Sequence, residues 1–251
     1  MSFQIDAARE WCQLCSHIIK QLKNDTMRYN IFNQIHKALR ALLCDTLVTI
    51  QQTNFENPAE VAVALEKISQ VLAIFENHAW HEDHGILPVI EQYDPALVAS
   101  FETEHVKDHE LGENLSALVR SVETETEVIA RIQKGQQLLY AFVAFVSFNF
   151  DHMNREESQL NQQLWRYLSD EEILRINHSI VSSIPPEESQ FASFWMIKAM
   201  NNGEITRWLK EVQKNAPAPV FQMLYTIAEK ELPDLRFRTI AEELTEGALV
   251  A

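Results

Sequence analysis

Apolar residues recur along most of the chain at spacings of three and four, the period of a helix that buries one face. From about Arg28 to Thr53 the positions Phe32, Leu39, Leu43, Leu47 and Ile50 fall on one stripe, and His36 falls on it with them. A second segment opens at Asn57-Pro58-Ala59-Glu60, which combines an N-cap, a proline at the first helical position and a capping-box glutamate. Along it Ile68, Val71, Phe75, His78 and Glu82 share one face. A third begins at Asp94-Pro95 and lines up Val98, Phe101, His105, His109 and Gly112, the glycine predicted to admit a close neighbouring helix. The fourth reaches to about Leu168 and presents Phe145, Phe148, His152 and Glu156.

Antiparallel helices that meet at one level must turn about midway between the residues that face each other. His36 and His78 have their midpoint at Asn57-Pro58, and Glu82 and His105 have theirs near Asp94-Pro95. His105 and His152 require a turn near residue 128, where the polar run Ser121 to Glu127 offers Thr124 and Glu127 as a capping box. These spacings predict an all-α fold, an up-down-up-down four-helix bundle over residues 28–168. A short helix from about Gln4 to Lys23 would precede it within residues 1–27. Residues 169–251 would form a C-terminal helical region, divided at Ile184-Pro185-Pro186, Asn201-Asn202-Gly203 and Ala216-Pro217-Ala218-Pro219, with no internal repeat.

Composition agrees and narrows the function. Five glycines in 251 residues are too few for a turn-rich β protein. A formal charge of −15 argues against nucleic acid or an anionic membrane surface as a partner, since both call for basic patches. No basic segment followed by an apolar one opens the chain, and the longest apolar run, Leu138 to Phe150, is too short to span a bilayer. The expectation is a cytoplasmic protein; in the alternative of a protein partner, the acidic C-terminal region is the docking surface. Cys12 and Cys15 form a Cys-x-x-Cys without a βαβ pattern around it, and they read with Cys44 as small packing residues.

The chemistry lies in the histidines. His78 with Glu82, His152 with Glu156, and His105 with His109 are each four apart, one turn above each other on a helix. Satisfied core histidines are the bland alternative at any one position, but that reading must explain why five of nine histidines fall in register on four helices. Imidazole and carboxylate without thiolate favour iron, manganese or zinc. Seven side chains are too many for one tetrahedral zinc, and they suit two octahedral ions that share two carboxylates.

Residues 28–168 resemble the hemerythrin, or HHE cation-binding, family. The resemblance rests on His36, His78-x-x-x-Glu82 followed by Leu87-Pro88, Glu104-His105 with His109, and His152-x-x-x-Glu156-Glu157. It implies a non-haem di-iron centre with an oxo or hydroxo bridge, manganese and zinc being the alternatives. One iron would take His105, His109 and His152, the other His36 and His78, with Glu82 and Glu156 bridging. True hemerythrin carries an aspartate five residues after the last histidine, where this chain has Glu157. HHE-type relatives use the glutamate at the fourth position, which selects Glu156. Some relatives that act on damaged iron centres lack the second histidine of the His105/His109 pair, so its presence points to binding or sensing of dioxygen or a related small oxidant. Peroxide or nitric oxide chemistry, repair of damaged iron clusters, and iron-dependent binding of a protein partner are the alternatives. In this reading the iron with three histidines is closed, and the one held by His36 and His78 has an open position.

Overall fold

The computed structural model describes residues 28–246, so the helix expected near the N-terminus, with Cys12 and Cys15, lies outside the described residues. The described residues are helical with no strand. Four long helices carry the candidate ligand histidines: α1 (Asn33–Gln52), α2 (Pro58–Gly85), α4 (Pro95–Glu123) and α5 (Val128–Arg155), with a short α3 (Leu87–Glu91) between the second and third. A π-helical turn, Glu156–Leu160, follows α5 and leads into α6 (Asn161–Tyr167). Five further helices follow among the described residues: α7 (Asp170–Ser183), α8 (Pro186–Ala199), α9 (Asn202–Asn215), α10 (Ala218–Glu231) and α11 (Asp234–Glu246).

Local sequence explains where these helices begin. Asn57 Oδ1 accepts from the Ala59 amide at the start of α2, and Asp94 Oδ1 accepts from Leu97 at the start of α4, each with proline next in the chain. The third turn also falls where expected, but its capping box does not form. Thr124 ends α4 with its hydroxyl on the Arg120 carbonyl, and Glu127 caps α5 without a side-chain bond. The interior is aliphatic and aromatic, with Leu39, Ile68, Phe101, Leu138 and Phe142 fully enclosed. Cys44, expected to pack inside, is exposed.

Glycine has its packing role elsewhere than expected. A Cβ on Gly112 would meet Leu72 at 3.7 Å, an ordinary contact that asks for no glycine. On Gly135 it would lie 2.5 Å from the Phe55 ring. Phe55 belongs to the turn between α1 and α2, and Arg131, one helical turn before Gly135, donates to the carbonyls of Phe55 and Glu56. That turn is thereby clasped onto α5.

The described residues divide into two compact units, residues 39–160 and residues 28–38 with 161–246. The boundary near Ala38 falls inside α1, which runs through it unbroken. In the second unit, helices α7 to α11 begin at residues 170, 186, 202, 218 and 234, a step of sixteen each time. Each connection is two residues long, and α8 packs on α10 while α9 packs on α11. This regular spacing was not expected from the sequence, where only single positions follow it, such as Pro185, Pro217 and Pro233 directly before three of the helices. Ile197, Ile205, Leu209, Leu224 and Ile240 form its core. No helix among the described residues is long and apolar enough to cross a membrane.

Candidate metal centre

Each bundle helix brings its candidate side chain to the inner face. His36 on α1 is fully enclosed and stacks on Phe32 at 5.1 Å. His78 and Glu82 lie one turn apart near the end of α2, with His78 Nε2 3.1 Å from Glu82 Oε1. His105 comes from α4. His152 comes from the last turn of α5, and Glu156 opens the π turn. A turn wider than an α turn shifts the face that the following residues present, and such insertions concentrate where side chains are aimed at a site.

The ring nitrogens and carboxylate oxygens converge. One ligand atom from each of Glu82, His105, His152 and Glu156 lies within 4.8 Å of the others, and the same holds for His36, His78, Glu82 and Glu156. The two groups share both glutamates. Glu82 places Oε1 beside His78 and Oε2 3.4 Å from His105 Nε2, while Glu156 Oε1 lies 2.9 Å from His152 Nε2 and 3.7 Å from His105 Nε2. Residues 27–164 match the family described as the Hemerythrin HHE cation binding domain, a stretch of more than half the chain. The chain belongs to that family. Comparison with curated proteins and with solved structures gives no match.

The donor set suits the cations that a hemerythrin HHE domain takes. Glu82 and Glu156 are almost completely enclosed, and buried carboxylates call for positive charge beside them. In the metal-free chain protons supply part of it. Burial alone would pull the pKa of His105 down, but the carboxylates of Asp83, Glu156 and Glu82 outweigh it and push it up to about 12. His152 is likewise raised, the Glu156 carboxylate prevailing over burial. His105 Nε2 is buried and makes no hydrogen bond of sound geometry, although two carboxylates flank it. An ion that accepts the nitrogen lone pair and neutralises the carboxylates satisfies all these groups together.

The outward-facing ring nitrogens are held as well. His105 Nδ1 donates to Asp83 Oδ1 at 2.6 Å, and His152 Nδ1 donates to Glu104 Oε2 at 2.8 Å. Glu104 is in turn paired with Arg155, whose guanidinium lies over the Phe101 ring. A carboxylate on Nδ1 fixes the tautomer and turns Nε2 toward the metal position. Sequence reasoning gave no role to Asp83 and Arg155 and met Glu104 only as part of the Glu104-His105 motif, because charged residues at helical spacing normally read as a solvated face. Their adjacency in Glu82-Asp83 and Glu104-His105 was the available signal.

Six of the seven expected residues come together, and His109 does not. His109 is exposed and belongs to neither group. The inner face of α4 runs through Phe101, His105, Asp108 and Leu115, so the step after His105 is three residues rather than four. Asp108 holds the inward position, and Asn149 Nδ2 donates to its Oδ1 at 2.6 Å. Burial pushes the Asp108 carboxyl above its ordinary range, partly opposed by that bond. At the other end of the site Glu157 turns to Arg40, 2.9 Å away, while Glu156 faces inward.

Proposed function

We propose that this chain is a non-haem di-iron protein whose centre binds dioxygen or a related small oxidant. Support comes from the two overlapping groups, since side chains that belong to both are placed to bridge two ions. His105 and His152 would hold one iron, His36 and His78 the other, with Glu82 and Glu156 between them. Bound iron would supply a reversible change of oxidation state and open positions for a diatomic ligand. With His109 outside, each ion has two imidazoles and a share of two carboxylates. Neither ion is then closed by protein ligands, in contrast to the arrangement of one closed and one open ion expected from the sequence.

The residues around the centre set its conditions. Leu39, Phe75 and Phe145 are buried on the same helices, and Phe32, just before α1, stacks on His36, an apolar setting that limits access of bulk water. Asp83 and Glu104 hold two imidazoles in the metal-binding tautomer. Protein produced with iron should contain about two irons per chain, by the count of two ligand groups. A reversible change of its visible spectrum under oxygen would support binding or sensing. One iron or less per chain, or two irons retained in Glu156→Ala, would overturn the proposal.

A second reading, chemistry on nitric oxide or peroxide or repair of damaged iron clusters, is favoured by the outward position of His109. Some relatives that act on damaged iron centres lack the corresponding histidine. Oxidant consumed over many equivalents, or an inactivated iron–sulfur protein restored by the iron-loaded chain, would select this reading over simple binding.

A further inference from the structure

Building on the di-iron reading above, we propose that Asn161 is a further residue of the centre, whose carboxamide hydrogen-bonds the small ligand held there. Asn161 is fully enclosed, and neither its Oδ1 nor its Nδ2 has a hydrogen-bond partner. A buried amide with both ends unmet is costly, and folded chains rarely keep one unless a site uses it. Thr46, Trp195 and Thr206 each leave a single buried atom unpaired, whereas Asn161 leaves two. Asn149, another enclosed amide, shows the contrast. Its Nδ2 donates to Asp108 Oδ1 at 2.6 Å and to the Phe145 carbonyl at 3.1 Å.

The π turn accounts for the face on which Asn161 lies. Glu156–Leu160 forms a turn whose hydrogen bonds span five residues, and α6 continues from it without a break, so residue 161 follows residue 156 by one turn on the same face. In an α-helix five residues rotate by about 500°, which would leave Asn161 roughly 140° round the axis from Glu156. Burial follows the wider turn: Glu156, Leu160, Asn161 and Leu164 are enclosed, while Ser158 and Gln162 are exposed. Glu156 belongs to both ligand groups. One turn beyond it, Asn161 stands at the edge of the site that the two groups share.

The amide brings what the ligand set lacks. His105 and His152 donate outward, to Asp83 and Glu104, and ionised Glu82 and Glu156 are acceptors only. A carboxamide adds a neutral donor at Nδ2 and an acceptor at Oδ1. A donor that faces no competing partner in the chain is ready to bond a ligand without first breaking another bond, and in an enclosed site that bond is strong. Hydrogen bonds to charged groups are the stronger kind, so Asn161 favours ligands with an anionic or strongly accepting end, such as azide, over neutral and weakly accepting ones.

The test compares the full chain with Asn161→Leu, which keeps the size of the side chain and removes both polar ends. Metal-free Asn161→Leu should unfold at the same urea concentration as the parent or at a higher one, because no bond within the chain is lost and a costly buried amide is removed. Loaded with iron, it should hold as much metal as the parent and bind azide about tenfold or more weakly, as read from the visible spectrum during titration. A metal-free variant that is less stable or fails to fold would make the amide structural and overturn the proposal. A variant depleted in iron, or one that binds azide as tightly as the parent, would overturn it too. A parent chain that holds fewer than two irons or takes up no azide would bring down the di-iron reading itself, a result visible before any variant is compared.

Discussion

Replacing Gly135 by alanine sets two known effects against each other. In the middle of a helix alanine is better than glycine by about 0.8–1.0 kcal/mol, so on propensity alone Gly135→Ala stabilises. The new Cβ, however, would lie 2.5 Å from Cγ and Cδ1 of Phe55 and 2.6 Å from Cε1. Cγ is the root of the ring, so rotation of the far end gives no relief. The Phe55 backbone cannot easily withdraw either, because Arg131 Nε donates to its carbonyl at 2.7 Å and Nη2 to that of Glu56 at 3.0 Å. Overpacking of this kind costs about 1–3 kcal/mol, and the pinned turn favours the upper half of that range. The net expectation is a loss of about 1–2 kcal/mol. With Phe55→Ala as background the obstacle is gone, and the same substitution should stabilise by about 1 kcal/mol, a reversal of sign. Urea unfolding of the four proteins of this cycle measures the effect, with metal content read alongside because the turn joins the helices of His36 and His78. Stabilisation by Gly135→Ala with Phe55 present would refute the reasoning. Gly112→Ala, with only an ordinary contact to Leu72, should behave as the propensity scale says.

Glu156→Ala should reduce metal content well below that of the parent, while Glu157→Ala removes only an Arg40 pair worth up to about 1 kcal/mol and leaves the metal in place; inductively coupled plasma analysis of the purified proteins reads the difference. Glu104→Gln should weaken metal affinity by about 10–100-fold by releasing His152 Nδ1, whereas His109→Ala, at an exposed position, should not change it in a competition titration. Glu204 gives a pH signature. Burial would raise its carboxyl pKa, but Lys37 and Asn33 hold it below the ordinary 4.5. Its contribution is therefore complete above the unfolded value and is lost as pH falls through the lower folded one. A glutamine can still close the capping box of α9 with its carbonyl, so Glu204→Gln removes only the charge facing Lys37 and should cost up to about 1 kcal/mol at neutral pH and progressively less in acid, as followed by thermal unfolding.

Periodicity along the chain was enough to predict an all-helical protein, because a helix that buries one face must repeat its apolar positions every three or four residues. The same logic placed His36, His78, Glu82, His105, His152 and Glu156 on inner faces, and the structure brings these six together. It failed at His109. Steps of three and four from His105 both stay near one face, and only the packing of α4 against its neighbours turns Asp108 inward and His109 outward. The choice between Gly112 and Gly135 was likewise hidden, because close approach depends on what lies opposite, and Phe55 is eighty positions away from Gly135 in the chain. Asp83 and Glu104 could not be told from other surface carboxylates until the rings of His105 and His152 were placed beside them. The sixteen-residue step of the C-terminal helices left only a broken trace, Pro185, Pro217 and Pro233, because Asn201 makes the equivalent turn without proline. Helix type and face are properties of local sequence, while partners across the core are set by how whole helices pack, and that is decided in three dimensions.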